Sequence, residues 1–414
     1  MSISQTFEVE ITGMAYGGSA ISRLEDGRTV FVPFANPGER VRLAVIEDKP
    51  HYAQGKLLDI LRPAPERIDP QCPTFGVCGG CHYQQLPYQN QIEIKASILR
   101  DQLHRMGKLT DLPEVEIIPS PDPWDYRNTL QFHLTKDGKL GFQKTNSNET
   151  LPIEQCSLAQ PALQGIWKQI EFEPDLSIER LSLRCGQYDE ILLTLESNQP
   201  ETPELMIEEL PISVVHLNGD DAIVMAGSDH LWIELRDRLF HVSAGAFFQG
   251  NNRVAENLVE HLLTHLSLKA TSTVLDLYCG GGLYSAFMAE KVAHLIGIES
   301  SPAACRDFEI NLDQFENVEL YEAPAEHVLP YLNIQADIML VDPPRSGLAK
   351  LVRQAIAACP PTQLVYISCD PSTLSRDARD LVQAGFKLEK LAFFDMFPQT
   401  YHIESVSYWR HSHP

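Results

Sequence analysis

The sequence predicts an α/β protein. A Rossmann-like parallel-sheet domain is expected at the C-terminal end, a small β-barrel at the front, and a mixed α+β region between them. Three observations carry this. From about residue 241, apolar strand-like runs alternate with helical stretches, the pattern of βαβ units. Inside that stretch an apolar run, Val274 to Leu277, leads into Gly280-Gly281-Gly282. Residues 1–64 hold about five short alternating runs separated by glycine turns, which suggests a barrel. The 414-residue length suits two or three domains of about 100–200 residues each.

Taken in order, Phe7, Val9 and Ile11 alternate with polar residues, and Gly17-Gly18 signals a turn. Val30-Phe31-Val32, the series Val41, Leu43, Val45 after Pro37-Gly38, and Gly55 to Leu61 complete a domain over 1–64. A central domain is expected over 65–240. It opens on a Pro-, Gly- and Cys-containing stretch. A helix is expected over 86–107, packing on the C-terminal domain, because Ile92, Ile94, Ile98, Leu99, Leu103 and Met106 recur at near-helical spacing. Strand-like runs return over 126–196, and 197–211, with its Pro and Glu, reads as a solvated loop or helix start. The α/β domain occupies 241–414.

The chain carries 33 basic and 56 acidic side chains, net −23. That sum argues against nucleic acid, whose phosphates want Lys and Arg. Its distribution does not. Residues 171–240 hold 16 acids against 4 bases, while 1–64 and 65–170 are nearly neutral at −1 and −2. A surface facing RNA is therefore compatible with the acidic total, resting on basic residues such as Arg40, Arg42, Lys56, Arg100, Arg105, Lys108 and Arg127. No run approaches the roughly 18 apolar residues of a membrane helix, and Met1 to Glu8 lacks the pattern of a secretory leader. A cytoplasmic protein without a membrane partner is expected.

The glycine turn after Val274–Leu277 lets backbone approach a ligand at a strand's carboxyl end. A second strand, Leu295 to Ile298, ends in Glu299, 23 residues beyond Asp276, the separation at which an acid accepts from ribose hydroxyls. The turn is not G-x-G-x-x-G, since Leu283, Tyr284 and Ser285 follow Gly282, which favours S-adenosylmethionine over a dinucleotide. A third apolar run, Asp337 to Val341, ends in Asp342-Pro343-Pro344-Arg345. An Asp-Pro-Pro turn there lines the reaction site of methyltransferases acting on nucleic acid bases. With Arg345 in place of an aromatic residue, reaction at a ring carbon is favoured over amino-group methylation.

Leu364 to Ser368 is a further buried run, ending in Cys369-Asp370-Pro371. A thiol there suits pyrimidine chemistry. C5 is a poor nucleophile until a thiolate adds to C6, and a separate base must then remove the C5 proton. The helix expected over Ser372 to Leu381 would lower the Cys369 pKa. For the base, Glu404 at the start of a last strand and His402 both qualify.

These segments resemble the RNA uracil-C5 methyltransferase family, makers of 5-methyluridine, over nearly the whole chain. Ser368-Cys369-Asp370-Pro371 resembles its nucleophile motif, and Phe397-Pro398 through Glu404 its closing motif, which implies Glu404 as proton acceptor over His402. Phe247-Phe248-Gln249-Gly250-Asn251 resembles the stretch opening the catalytic domain and implies that Gln249 contacts the methionine part of the cofactor; Tyr278, Glu299 and Asp342 match other cofactor-contact positions. Residues 1–64 look like the RNA-binding, OB-like TRAM barrel of some members. Leu283 departs from the Asn or Thr often found there, so a side-chain contact is lost.

Cys72, Cys78 and Cys81 cluster among glycines. Zinc usually takes two Cys-x-x-Cys or Cys/His pairs, and only one is present, so three close thiolates with a distant fourth favour a [4Fe–4S] cube. Cys156, in a loop-like context, is the better fourth ligand, and Cys185, in an apolar run, the alternative. The resemblance implies Cys156, and a folding or RNA-docking role is expected for the cluster. Cys279, Cys305 and Cys359 read as packing residues. The barrel and cluster together resemble members acting on 23S ribosomal RNA. A transfer RNA uridine-C5 enzyme, an RNA cytosine-C5 enzyme and a non-catalytic RNA-binding assembly factor are the competing readings, and no obligate protein partner is inferred.

Overall fold

A computed structural model describes residues 5–170, 172–173, 178–188, 190–199, 202–203, 210–219 and 221–411. The chain divides into two compact units. The first is Met1–Arg100 with Gln143–Glu149 and Phe397–His402; the second is Asp101–Phe142, Thr150–Met396 and Ile403–Pro414.

The first unit begins with six strands: β1 (Thr6–Glu10), β2 (Gly13–Met14), β3 (Ser19–Arg23), β4 (Thr29–Pro33), β5 (Arg40–Asp48) and β6 (Tyr52–Arg62). They form one barrel-like sheet in the order β1-β5-β6-β4-β3-β2. The alternation read from sequence turns Val9, Ile11, Val30, Val32, Val41 and Leu43 inward, all of them buried. Helix α1 (Tyr88–Arg105) follows and begins within this unit. Its Lys95 is fully buried, and the ammonium donates to the Phe397 carbonyl at 2.9 Å.

The second unit holds β7 (Val115–Ile118), β8 (Thr129–Leu134), β9 (Leu140–Gln143), β10 (Thr150–Pro152), β11 (Arg180–Cys185), β12 (Ile191–Glu196), β13 (Ser213–Asn218) and β14 (Asp221–Ala226). All but β7 form a seven-stranded sheet, and β15 (His230–Leu235) and β16 (Arg238–Ser243) pair as a hairpin. Most of the loop expected over 197–211 lies outside the described residues.

The remainder alternates as expected: α2 (Asn252–His265), β17 (Thr273–Leu277), α3 (Leu283–Met288), β18 (His294–Glu299), α4 (Pro302–Asn311), β19 (Val318–Glu322), α5 (Ala325–Val328), β20 (Ile338–Val341), α6 (Lys350–Ala358), β21 (Gln363–Ser368), α7 (Pro371–Gln383), β22 (Phe386–Phe394) and β23 (Glu404–His411). The sheet order is β19-β18-β17-β20-β21-β23-β22-β7. β17 to β21 run parallel, and β23 lies antiparallel between β21 and β22. Strands β20 and β21 are buried throughout, which is why they read as continuous apolar runs. Strand order reverses between β17 and β20, and ligands of open α/β sheets bind at such a switch point. Among the described residues, no helix is long and apolar enough to cross a membrane.

Candidate active site

The turn after β17 is shaped by backbone that few side chains tolerate. Tyr278, Gly280 and Gly282 have φ of +62°, +55° and +83°. Gly282 precedes α3, and a Cβ there would strike Leu312 Cδ1 and lie 2.9 Å from Phe308 Cδ2. Glycine is required for conformation and space together.

Glu299, at the end of β18, is aimed by backbone donors. Gly280 N–H donates to its Oε2 at 3.0 Å; Ser300 and Ser301 N–H donate to its Oε1 at 2.6 and 2.8 Å. Ser300 Oγ adds a long contact to Oε1 at 3.5 Å, while Oε2, among the described residues, accepts only from Gly280 and so keeps a lone pair for a ribose hydroxyl.

Three more acids gather here, Asp276 and Glu404 buried and Asp342 half-buried. Asp276 accepts from Ser285 Oγ at 2.6 Å, while its other oxygen is buried with no hydrogen-bond partner. Desolvation, with Glu299 nearby, pushes the Asp276 carboxyl up to about 7. Asp342 follows β20, its N–H donating to the Leu277 carbonyl at 3.2 Å; burial and then the Asp276 charge push it up to about 8. Glu404, only 7% exposed, is raised well above its ordinary value by burial and by Asp342. The orphaned oxygen, the backbone-aimed Glu299 and this acid group fit a nucleoside cofactor carrying a positive charge, which ionised carboxylates attract.

Strands β21 and β23 pair antiparallel through Ser368 and Ser405. Cys369 follows the one and Glu404 precedes the other, so both sit one step beyond that pair. Cys369 is half-buried. Burial pushes its thiol up to about 12, with the Glu404 and Asp342 charges adding and the Arg345 guanidinium opposing. Any lowering expected from α7 is outweighed. Asp370 caps that helix, accepting from Ser372 and Thr373 N–H at 2.8 and 3.0 Å. A carboxylate thus stands between the thiol and the helix dipole.

Gln249 is buried; its backbone carbonyl accepts from Asn128 Nδ2 at 2.8 Å, and its amide donates to Tyr284 Oη at 3.4 Å. Tyr284 is buried too, its hydroxyl raised by desolvation and by the Asp342, Glu404 and Asp276 charges. The structure thus brings Asp276, Asp342, Glu404 and Gln249 around one tyrosine, and Cys369 beside Glu404 and Asp342. Neither Tyr284 nor the buried role of Asp276 was read from sequence. Tyr284 stood in the discounted stretch after Gly282, and the only signal was an aromatic residue within a turn of a glycine loop. His402 belongs to the first unit, its ring 4.4 Å from Tyr401 and 5.6 Å from Phe397.

Cys72, Cys78, Cys81 and Cys156 are all half-buried. Gly80 N–H points at Cys78 Sγ at 3.4 Å, and the Cys72 thiol lies 3.2 Å from Thr74 Oγ1. A Cβ on Gly79 would crowd the Gln143 carbonyl at 3.1 Å. The loop of Cys72, Cys78 and Cys81, with backbone close to sulfur, suits thiolate ligands of a cluster, and Cys156 lies in the second unit. Cys185 is buried in β11, donates to Gln160 Oε1 at 3.0 Å and is pushed up to about 11 by burial, consistent with packing. Cys279 and Cys305 are buried as expected; Cys359 is exposed and hydrogen-bonded to the Ile334 carbonyl, because it lies at the C-terminal cap of α6 rather than inside it.

Of the expected RNA-facing bases, Arg40 and Arg42 spend charge on acids within the barrel. Glu8 pairs with both at 3.1 Å, and Asp59 with Arg42 at 3.1 Å. Arg105 pairs with Asp101 at 2.6 Å.

A family model described as tRNA (uracil-5-)-methyltransferase matches residues 202–411, and a TRAM domain model matches residues 3–58. The chain is 31% identical to an uncharacterized RNA methyltransferase of Halalkalibacterium halodurans, covering 97% of this chain and 96% of the relative. It is 31% identical to one of Thermotoga maritima, covering 96% and 98%. The structure of Pyrococcus abyssi tRNA (uracil-54, C5)-methyltransferase, in complex with S-adenosyl-L-homocysteine, superposes with a TM-score of 0.77 at 22% identity, covering 97% of this chain and 100% of that one. That likeness is one of fold.

Proposed function

The chain belongs to the tRNA (uracil-5-)-methyltransferase family and is an RNA methyltransferase using S-adenosylmethionine, and from that premise we propose that it methylates C5 of a uridine in 23S ribosomal RNA. The observation carrying the C5 chemistry is the meeting of Cys369 and Glu404 at one end of β21 and β23, with the Asp342 charge acting on both.

Gln249, Tyr278, Glu299 and Asp342 hold the cofactor, which supplies an electrophilic methyl group on a sulfonium. Cys369 adds to uridine C6 as its thiolate, the thiol proton having passed to solvent, and so makes C5 nucleophilic. After C5 takes the methyl group, Glu404 removes the C5 proton, and the C6–S bond breaks to restore the ring and the thiolate. Burial raises the proton affinity of Glu404, which suits a base that must hold the proton it takes.

Cys72, Cys78, Cys81 and Cys156 are the proposed ligands of a [4Fe–4S] cluster that orders their loops. The transfer itself needs no electron. The barrel-like domain serves RNA, and the protein acts in the cytoplasm. The barrel and the cysteines favour ribosomal RNA. A transfer RNA target is the second reading, favoured by the family's description and by the substrate of the Pyrococcus abyssi enzyme. Mapping 5-methyluridine in ribosomal and transfer RNA, with and without this protein, decides. A lost methyl group in transfer RNA alone would overturn the ribosomal assignment, and 5-methylcytidine as product would overturn the chemistry.

A further inference from the structure

At the far edge of the eight-stranded sheet, α2 places His261 and His265 one turn apart, on one face. Glu116, on the edge strand β7, faces them. One ligand atom from each of the three lies within 4.8 Å of the others. A tetrahedral ion with bonds of about 2.1 Å separates its ligands by roughly 3.4 Å, so a small rotation of the exposed Glu116 closes the set.

The rings are already oriented for this. His265 Nδ1 bonds the His261 carbonyl at 2.8 Å, so Nδ1 carries the hydrogen and Nε2 keeps its lone pair. Tyr408 Oη lies 2.8 Å from His261 Nδ1 and donates to the His261 carbonyl at 3.4 Å. In the tautomer whose Nδ1–H donates to that hydroxyl, the His261 Nε2 lone pair lies 3.3 Å from a Glu116 carboxylate oxygen; in the other, Nε2–H donates to that oxygen and a metal ion would replace the proton. Histidine metal ligands are held this way, through their second nitrogen. Acceptors so disposed call for a cation. In the structure that cation is the Lys390 ammonium, 3.2 Å from Glu116 Oε2 and 2.5 Å from His265 Nε2, on a half-exposed and flexible stem.

We propose that Glu116, His261 and His265 bind a divalent transition ion of the zinc class, which displaces the Lys390 ammonium and fastens strand β7 to helix α2. Imidazole and carboxylate donors suit such an ion, and water completes the coordination. The site lies outside the catalytic group described above, and its consequence is stability of the sheet edge.

The test uses full-length protein, purified anaerobically with its iron in place, and Ni(II) as probe, because nickel favours imidazole. Calorimetry should find one ion per chain bound to the native protein, with a rise in Tm. Glu116→Gln, at an exposed position, and His265→Ala should each weaken binding at least about tenfold. Lys390→Met removes the competing charge and should tighten it by a similar factor. Equal affinity in all variants would mean that nickel binds elsewhere and would overturn the proposal. So would binding confined to Lys390→Met, since lysine would then be the permanent occupant, and so would no binding in any variant.

Discussion

Cys369 and Glu404 lie side by side one step beyond the antiparallel pair Ser368–Ser405, so the register of β21 on β23 brings the thiol beside the carboxyl. The relation survives substitution of either side chain, because backbone hydrogen bonds set it. Glu404→Gln should therefore fold, add to RNA through Cys369 and take up the methyl group, yet fail to release the product. The expected outcome is a covalent protein–RNA band on denaturing gels and a turnover loss of about 10²–10⁴-fold. Cys369→Ala should form no such band. A Glu404→Gln protein that turns over normally would transfer the base role to another group.

The buried acids give the protein without cofactor a pH-dependent stability. Asp276 and Asp342 ionise near 3.8 when exposed and at about 7 and about 8 in the fold. Between these values the folded chain holds protons that the unfolded chain has released. Stability from this source is complete below pH 3.8 and is lost as pH rises through 7 and 8. Asp342→Asn should accordingly raise the Tm at pH 8.5, by an amount corresponding to a few kcal/mol, and have little effect near pH 4. An equal effect at both values would remove desolvation as the cause.

Much of this site was legible in sequence, for one physical reason. Parallel strands buried on both faces are continuous apolar runs, so their ends are visible, and in this fold chemistry collects at those ends. Glu299, Asp342 and Cys369 end or follow such a run, while Glu404 opens the antiparallel strand β23 laid beside β21. What escaped depends on tertiary neighbours. Tyr284 takes part only because Gln249, 35 residues earlier in the chain, meets its hydroxyl. The thiol moved opposite to expectation because the fold buries it beside Glu404 and Asp342. Glu8 becomes a neighbour of Arg40 and Arg42 only when β1 pairs with β5, so their ion pairs could not be read from sequence. His261 and Glu116 are 145 residues apart.

Tyr284 offers a test of positioning. Its hydroxyl holds the Gln249 amide, accepting from it at 3.4 Å. Tyr284→Phe keeps the ring and deletes that bond. The KM for S-adenosylmethionine should rise about three- to tenfold, the range expected for one neutral hydrogen bond of about 1 kcal/mol, with kcat little changed. A loss confined to kcat would instead assign the hydroxyl to the chemical step.

Cofactor charge should be readable as protons. With Asp276 at about 7 and Asp342 at about 8, part of this group is protonated at pH 7 when the cofactor is absent. A sulfonium beside these carboxyls favours their ionised forms and lowers both values. Binding of S-adenosylmethionine at pH 7 should release protons to the buffer. S-adenosylhomocysteine, which has the same nucleoside and amino acid groups but no sulfonium charge, should release fewer. Calorimetry in buffers of different ionisation enthalpy measures the difference, and Asp342→Asn should reduce it. Equal release with both ligands would place the positive charge out of reach of these carboxyls and leave burial alone to account for their pKa values.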